Sequence, residues 1–195
     1  FMGEQHTLIA KLIHWLFIPL YVYGIFKQVD DISQLEDNTL LIFEVIFASV
    51  FLVIVLMRFF YMRRFDNFKG AQIPVHRIHR LIGKTVHIGM YLCLILLPLS
   101  GLIIAGLFSQ GIEDGPLQDG ALTIHEIAAD MSYVLIAVHI SAAIYSRIKG
   151  EGVWSAMVPI LKEDEPSTNP IVQKIAQFEN QIYNKIEDIL PRKNE

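Results

Sequence analysis

The sequence predicts an all-α membrane protein, a four-transmembrane-helix bundle followed by a C-terminal amphipathic helix. Hydrophobic residues make up 53% of the 195 residues and charged residues only 18%, against roughly 25% charged residues in soluble domains. Four apolar segments are each long enough to cross a hydrocarbon core about 30 Å thick, which takes about 20 helical residues. A fifth segment, near the C-terminus, alternates apolar and polar residues with a helical period.

The predicted spans are residues 8–26, 40–61, 85–107 and 122–144. The second is the least interrupted, because Glu44 and Arg58 are its only charged residues. Pro19, Pro98 and Gly101 fall within spans, where lipid-embedded helices tolerate such residues. We therefore expect residues 1–150 to form one transmembrane domain.

Charges in the connections predict the orientation of the spans. The second connection carries many bases and a single acid: Arg63, Arg64, Lys69, Arg77, Arg80 and Lys84 against Asp66. The third connection carries Glu113, Asp114 and Asp119 and no base. Because short cytoplasmic loops are enriched in Lys and Arg, we expect the second connection and both termini to be cytoplasmic.

The C-terminal segment predicts a helix of another kind. After a linker at residues 151–170, apolar residues recur at spacings of three and four over residues 171–190: Ile171, Ile175, Phe178, Ile182, Ile186 and Ile189. This spacing places them on one face of a cytoplasmic helix. The face either lies on the membrane or packs on a partner or another copy. Few Lys or Arg residues lie on the polar face, which favours protein contact, and a redox subunit is a candidate partner.

Composition excludes several other classes of protein. A single cysteine, Cys93, rules out an intramolecular disulfide and any cysteine-based zinc or iron–sulfur site within this chain. The net charge of −4 argues against a nucleic-acid partner. The first apolar run is interrupted by Lys11 and His14, so we do not expect a cleaved signal peptide.

Four of the seven histidines lie within the predicted spans: His14, His87, His125 and His139. Ionisable side chains in a membrane are costly and point to a function. His125 and His139 share one face of the fourth span and are separated by about 21 Å along its axis. Two cofactors stacked across a bilayer would need this arrangement.

His14 and His139 lie at matching depths, about six residues from the cytoplasmic ends of the first and fourth spans. A haem iron bound by two imidazoles requires such a pair on facing helices, so we predict these two histidines as iron ligands. His87, nearer the surface on the same side, is a second candidate partner, or a polar contact to a haem propionate or a quinone. The alternative for each histidine is a hydrogen-bonded packing role.

His125 has no histidine partner, because Glu44 occupies the matching depth in the second span. A carboxylate is a poor axial ligand for a b-type haem, which favours imidazole or thioether donors. A second haem at His125 is therefore left open. Glu44 either hydrogen-bonds His125 or forms a proton or substrate site with it.

A basic cluster precedes the third span and consists of His76, Arg77, His79, Arg80 and Lys84. It is either a solvated connection or a cationic patch. As a patch, Arg77 and Arg80 are candidates to bind haem propionates or a quinone headgroup. His76, His79 and Lys84 are candidates for a proton site or for an anionic substrate.

Several fragments together resemble one family, the bacterial cytochromes b561. Leu12-Ile13-His14-Trp15-Leu16 resembles its first-span signature. Val86-His87-Ile88-Gly89-Met90-Tyr91, followed by Pro98 and Gly101, resembles its third span, and His125-Glu126, Tyr133 and His139 resemble its fourth. The similarity covers roughly residues 5–150 and extends to the b-type cytochrome subunits of nickel–iron hydrogenases and formate dehydrogenases.

The resemblance implies four helices around two haems b, with ligands from the first, second and fourth spans. It assigns His14 and His139 to the cytoplasmic-side haem and His125 to the outer one, while Glu44 departs from the pattern at the second-span ligand. It also implies a bacterial inner-membrane protein that exchanges electrons between the quinone pool and another donor or acceptor, a protein or a small oxidant such as superoxide. Whether the chain is itself a quinone-linked oxidoreductase is left open.

Two other functions are alternatives to this one. In the first, the chain is the membrane anchor and electron-transfer subunit of a larger dehydrogenase or reductase, docked through the C-terminal helix. In the second, it is a haem-free transporter or channel that uses interior His and Glu residues as a proton path. The sequence shows no internal repeat, which disfavours the transporter.

Overall fold

The computed structural model describes residues 7–27, 29, 31–63, 76–161 and 166–189. Its helices are α1 (Leu8–Phe26), α2 (Asn38–Met62), α3 (Arg77–Phe108), α4 (Pro116–Lys149), α5 (Val153–Met157) and α6 (Pro170–Ile189), with a short 3-10 helix at Ile32–Glu36. Helices α1 to α4 are long and apolar enough to cross a membrane. The predicted class, an all-α membrane protein with four spanning helices and a C-terminal helix, is confirmed.

Helices α3 and α4 are longer than the predicted spans. Helix α3 begins at Arg77 rather than Thr85, and α4 runs from Pro116 to Lys149 rather than over residues 122–144. Hydropathy marks only the lipid-embedded part of a helix, whereas backbone hydrogen bonding continues through its polar ends. At 1.5 Å per residue, the 32 residues of α3 and the 34 of α4 exceed the thickness of a bilayer core.

Short-range chemistry defines several helix ends. Asp31 Oδ1 accepts a hydrogen bond from the Ser33 amide at 2.8 Å and begins the 3-10 helix, and Asp37 caps α2 in the same way. Helix α4 ends at Lys149 and is followed by Gly150, which adopts φ +73°. The Gly150 and Glu151 amides donate to the carbonyls of Arg147 and Ser146, the pattern of a Schellman motif.

The predicted linker contains an additional element, α5, a single short helix at Val153–Met157. Helix α6 then begins at Pro170, where the Asn169 side chain accepts a hydrogen bond from the Ile171 amide at 2.9 Å. Asparagine before proline is a favourable helix start, because proline needs no hydrogen-bond acceptor at the first helical position. Residues 162–165 of the linker, residue 190, and Arg64, Asp66 and Lys69 of the predicted basic connection lie outside the described residues.

The chain divides into two compact units. The first unit comprises Leu8–Arg64 and Ile88–Ile136, and the second comprises Phe1–Thr7, Phe65–His87 and Ala137–Glu195. In the first unit, α1, α2 and α3 pack through a buried cluster of Phe17, Phe51, Val55 and Leu94. Tyr21 and Ser132 join α1 to α4 by a hydrogen bond of 2.7 Å between their hydroxyl oxygens.

Replacing Phe51 by alanine tests the importance of this cluster. Phe51 is 3% exposed and its ring lies 5.1 Å from that of Phe17. We expect Phe51→Ala to lower the free energy of unfolding by about 3 kcal/mol, near the lower end for buried aromatic residues, because lost packing contacts have no replacement in lipid. The measurement is the temperature at which each variant aggregates in detergent, which should fall for Phe51→Ala. Phe60→Ala is the matched control, since Phe60 is 57% exposed on the same helix; equal losses in both variants would contradict the assignment of the core.

Candidate functional site

In the first unit, His125 on α4 packs against α3. Its Nδ1 lies 3.0 Å from Ser100 Oγ, and a Cβ at Gly101 would lie 3.5 Å from the imidazole Cε1. Ser100 Oγ also contacts the carbonyl oxygens of Leu96 at 2.7 Å and Leu97 at 3.0 Å. Because a serine has one proton to donate and a carbonyl can only accept, Ser100 can accept from Nδ1–H. This tautomer leaves the lone pair on Nε2, the nitrogen an iron would require.

Glu44, predicted either to bond His125 or to act with it, forms an ion pair with Lys27. Lys27 follows the last turn of α1, and its Nζ also lies 4.4 Å from the centre of the Phe47 ring. The other carboxylate oxygen, Oε1, is buried and has no hydrogen-bond partner among the residues described by the structure. Glu44 is thus an ion-paired carboxylate at the position where the family resemblance predicts an iron ligand on the second span.

A half-buried arginine, Arg58 on α2, is a second polar group of the first unit. It hydrogen-bonds the side chain of Tyr91 on α3. Its Nη1 is buried and has no hydrogen-bond partner among the described parts of the chain. A buried guanidinium with an unused donor suits an anionic oxygen from a bound group, because such oxygens pair with Arg through charge-assisted hydrogen bonds.

In the second unit, His87 on α3 and His139 on α4 lie together. Their ring centroids are 4.9 Å apart at an interplanar angle of 79°. His87 Nδ1 lies 2.6 Å from the Gly83 carbonyl oxygen, which can only accept, so Nδ1 carries the proton and Nε2 the lone pair. Donation of the second ring nitrogen to a carbonyl is the usual way in which a protein orients a ligating histidine.

His14, the predicted partner of His139, belongs to the first unit. It is half-buried on α1, and its ring contacts that of Trp15 edge-on, with centroids 6.1 Å apart. The structure therefore describes the surroundings of each histidine separately. The pairing of His14 with His139 stays a prediction.

The basic cluster at the start of α3 serves two roles in the second unit. Arg77, Arg80 and Lys84 are exposed. His76 and His79 instead face α6. His76 Nε2 lies 3.1 Å from a Glu187 carboxylate oxygen, and its ring stacks on Tyr183 with centroids 5.1 Å apart.

Glu179 of α6 is the centre of this contact. Lys149 Nζ donates to its carboxylate at 2.7 Å and Tyr145 Oη at 2.9 Å, and His79 Nδ1 lies 3.3 Å away. Burial raises the pKa of Glu179, but the hydrogen bonds from Lys149 and Tyr145 outweigh it and hold the pKa below its usual value. Burial and the adjacent Glu179 carboxylate raise the pKa of the Tyr183 phenol well above its ordinary value.

A cavity of about 270 Å³ lies beside these groups and is lined by His76, His79, Lys149, Glu179 and Tyr183 among others. The two histidines predicted as a proton or substrate site thus share one polar cavity. Arg77, Arg80 and Lys84 do not line it.

The sequence did not predict the polar partners of three side chains in the spans. These partners are Lys27 for Glu44, Ser100 for His125 and Tyr91 for Arg58. The sequence also did not predict that α6 docks through Glu179. The acid at position 179 interrupts the otherwise uncharged apolar edge of α6, next to Phe178. That interruption was the available signal for Glu179.

Comparison with known protein families matches residues 5–159 to the family described as prokaryotic cytochrome b561. The match covers all four spanning helices and ends before α6. No curated protein and no solved structure matches the chain.

Replacing Glu179 tests how α6 is held. Glu179→Gln removes the charge that binds Lys149, and hydrogen bonds to charged groups contribute roughly 1.5–3 kcal/mol. We expect amide hydrogen exchange in α6 to accelerate by about tenfold or more, measured by mass spectrometry. The control is Asp188→Asn, an exposed acid on the same helix, and equal acceleration in both variants would refute the assignment.

Acidification provides a second readout of the same contact. Docking lowers the pKa of Glu179. The ionised carboxylate therefore stabilises the docked helix fully at pH values above the ordinary glutamate pKa of about 4.3. This stabilisation is lost as the pH falls through the lower pKa of the docked state.

Proposed function

We propose that this chain, which belongs to the prokaryotic cytochrome b561 family, carries electrons between the quinone pool and a second donor or acceptor, a protein or a small oxidant such as superoxide. The family implies a b-type haem electron-transfer protein of a membrane. The observation that carries the proposal is the family match over residues 5–159, the region that contains every histidine of the spanning helices.

For the haem on the side where α1 begins and α4 ends, we propose His14 and His139 as axial ligands. Their matching depths support the assignment. His87 is the alternative partner of His139, because it lies beside His139 in the second unit and its Nε2 carries a lone pair in the neutral imidazole. When bound, the haem supplies one-electron chemistry, while the protein tunes its potential through the ligands and the charges around it.

We propose that this is the chain's single haem. Two imidazoles are needed for an outer site of the same kind, and α2 contains no histidine. Glu44 is already paired with Lys27, so its carboxylate would have to give up that partner to approach an iron. His125, held by Ser100, then serves with Glu44 as a proton or substrate site.

Arg58 is our candidate partner for a haem propionate. Its unused Nη1 donor is buried beside Tyr91, and a propionate carboxylate would satisfy it. The exposed Arg77, Arg80 and Lys84 are our candidates for binding a quinone headgroup or an anionic substrate at the surface.

The charge pattern supports a placement in the bacterial inner membrane with both termini in the cytoplasm. Arg77, Arg80 and Lys84 are exposed in the first turns of α3, and Arg147 and Lys149 lie in the last turn of α4. Acids dominate the other two connections, which is the distribution expected of the outer side.

A membrane anchor and electron-transfer subunit of a dehydrogenase or reductase is a second candidate function. The exposed apolar side of α6 favours it, because a second protein would find a ready surface there. Purification in mild detergent separates the two functions. A stoichiometric redox subunit would support the anchor, and a lone coloured protein that is reduced by quinol would support the carrier.

The number of haems tests the ligand assignment. A pyridine haemochrome assay on purified protein should give one haem per chain. His14→Ala and His139→Ala should lose it, because each removes an axial bond, and His125→Ala should keep it. His79→Ala, outside the hydrophobic core, is the control. Two haems in the wild-type protein would contradict the single-haem proposal, and retention in His14→Ala with loss in His87→Ala would transfer the ligand role to His87.

The haem potential tests the role of Arg58. A positive charge near the iron disfavours the ferric state, so Arg58→Leu should lower the midpoint potential in a redox titration. We expect a shift on the order of 60 mV, which is a tenfold change in a one-electron equilibrium, and a smaller shift for Arg58→Lys. Arg63→Leu is the control, since Arg63 is exposed five residues further along the chain. Equal potentials in wild-type and Arg58→Leu protein would refute the assignment.

A further inference from the structure

Helix α6 turns its apolar side outward. The apolar stripe of α6 comprises Ile171, Ile175, Phe178, Ile182 and Ile186, which are 67%, 48%, 64%, 42% and 39% exposed, respectively. A contiguous apolar surface of this kind on a folded protein marks a contact with another molecule or with a membrane. The family match does not reach this helix.

The rest of the second unit contacts a different side of α6. Glu179, Tyr183 and Glu187 face the ends of α3 and α4 through the contacts to His79, His76 and Lys149. At 100° per residue, the centre of this docked face lies about 100° around the helix from the centre of the stripe. Docking therefore leaves the stripe uncovered by its own unit.

The charges beside the stripe differ between its two edges. Lys174 and Lys185 are exposed and lie about 60–80° from the centre of the stripe, on the edge away from the docked face. On the docked edge, Glu179 is bound by Lys149 and Glu187 by His76. The open edge of the stripe is thus cationic, which complements an anionic surface.

The position of α6 in its unit also favours lipid. Apolar residues remain exposed to the last turn of α4, with Ile144 47% and Ile148 52% exposed. The next residue, Lys149, is the one that binds Glu179 of α6. The lipid-facing surface of α4 therefore extends to the point where α6 docks.

We propose that α6 lies in the membrane interface, at the bilayer face where α3 begins and α4 ends. The apolar stripe would contact acyl chains, and Lys174 and Lys185 would contact the phosphates of anionic phospholipids. A helix with one apolar stripe and lysines at its edge binds an interface in this way, because the long lysine side chains reach the headgroups. Lipid is present wherever this chain is inserted, so no additional molecule is required.

A spin label on the stripe tests the proposal directly. Phe178→Cys and the matched control Gln177→Cys, on the exposed polar side, are each made in a Cys93→Ala background. The full-length haem-loaded protein is reconstituted in vesicles of phosphatidylcholine and phosphatidylglycerol. Electron paramagnetic resonance then compares collisions of the label with oxygen, which concentrates in lipid, and with a water-soluble nickel chelate.

We expect the label at position 178 to collide preferentially with oxygen and the label at 177 preferentially with nickel. Preference for nickel at both positions would overturn the proposal, because the stripe would then face water. Shielding of position 178 from both reagents would also overturn it in favour of protein contact. Dipolar broadening between labels would identify that protein as a second copy, and its absence would indicate a different protein.

Lipid composition tests the contribution of the lysines. The oxygen preference at position 178 should increase when phosphatidylglycerol is added, because lysines near an anionic surface are attracted to it. In Lys174→Glu/Lys185→Glu protein, this dependence should be lost. Unchanged dependence in that variant would refute the lysine–phosphate contact, and haem absorbance would verify that each variant is folded.

Discussion

The absence of water from the hydrocarbon core requires each polar side chain of a spanning helix to find a partner in the protein or in a bound group. His125 with Ser100 and Tyr21 with Ser132 meet this requirement within the chain. Glu44 pairs with Lys27 through one carboxylate oxygen, and its buried Oε1 has no hydrogen-bond partner among the described residues. Arg58 also meets the requirement only in part, because Tyr91 leaves Nη1 without a partner in the described segments. Such a partly satisfied cation is the kind of group that a bound carboxylate completes.

The same requirement applies to the residues of the candidate site. The carboxylate of Glu44 has a cation of its own in Lys27, while its buried Oε1 has no hydrogen-bond partner among the described residues. In the second unit, His87 and His139 lie side by side, and in the first unit Arg58 has a buried Nη1 donor without a partner among the described residues. We propose one haem rather than two because the carboxylate of Glu44 is already ion-paired and α2 contains no histidine.

Hydropathy and spacing predicted the fold class and the four spans, because the thickness of a bilayer fixes the length of an apolar segment. They could not predict where α3 and α4 end, since helical hydrogen bonding continues beyond the lipid. The period of α6 identified its apolar stripe but not the side that docks, which depends on Lys149 and His79 from distant parts of the chain. Likewise, Lys27 follows a span in sequence, and only the fold brings it to Glu44.

The central claim is that interior histidines provide both axial ligands of a haem iron. The most direct test is low-temperature electron paramagnetic resonance of the oxidised, purified protein. Two imidazole ligands should give one low-spin ferric signal, and His139→Ala should convert it to a high-spin signal or remove it with the haem. A high-spin signal in the wild-type protein, or the absence of ferric haem from it, would contradict the account.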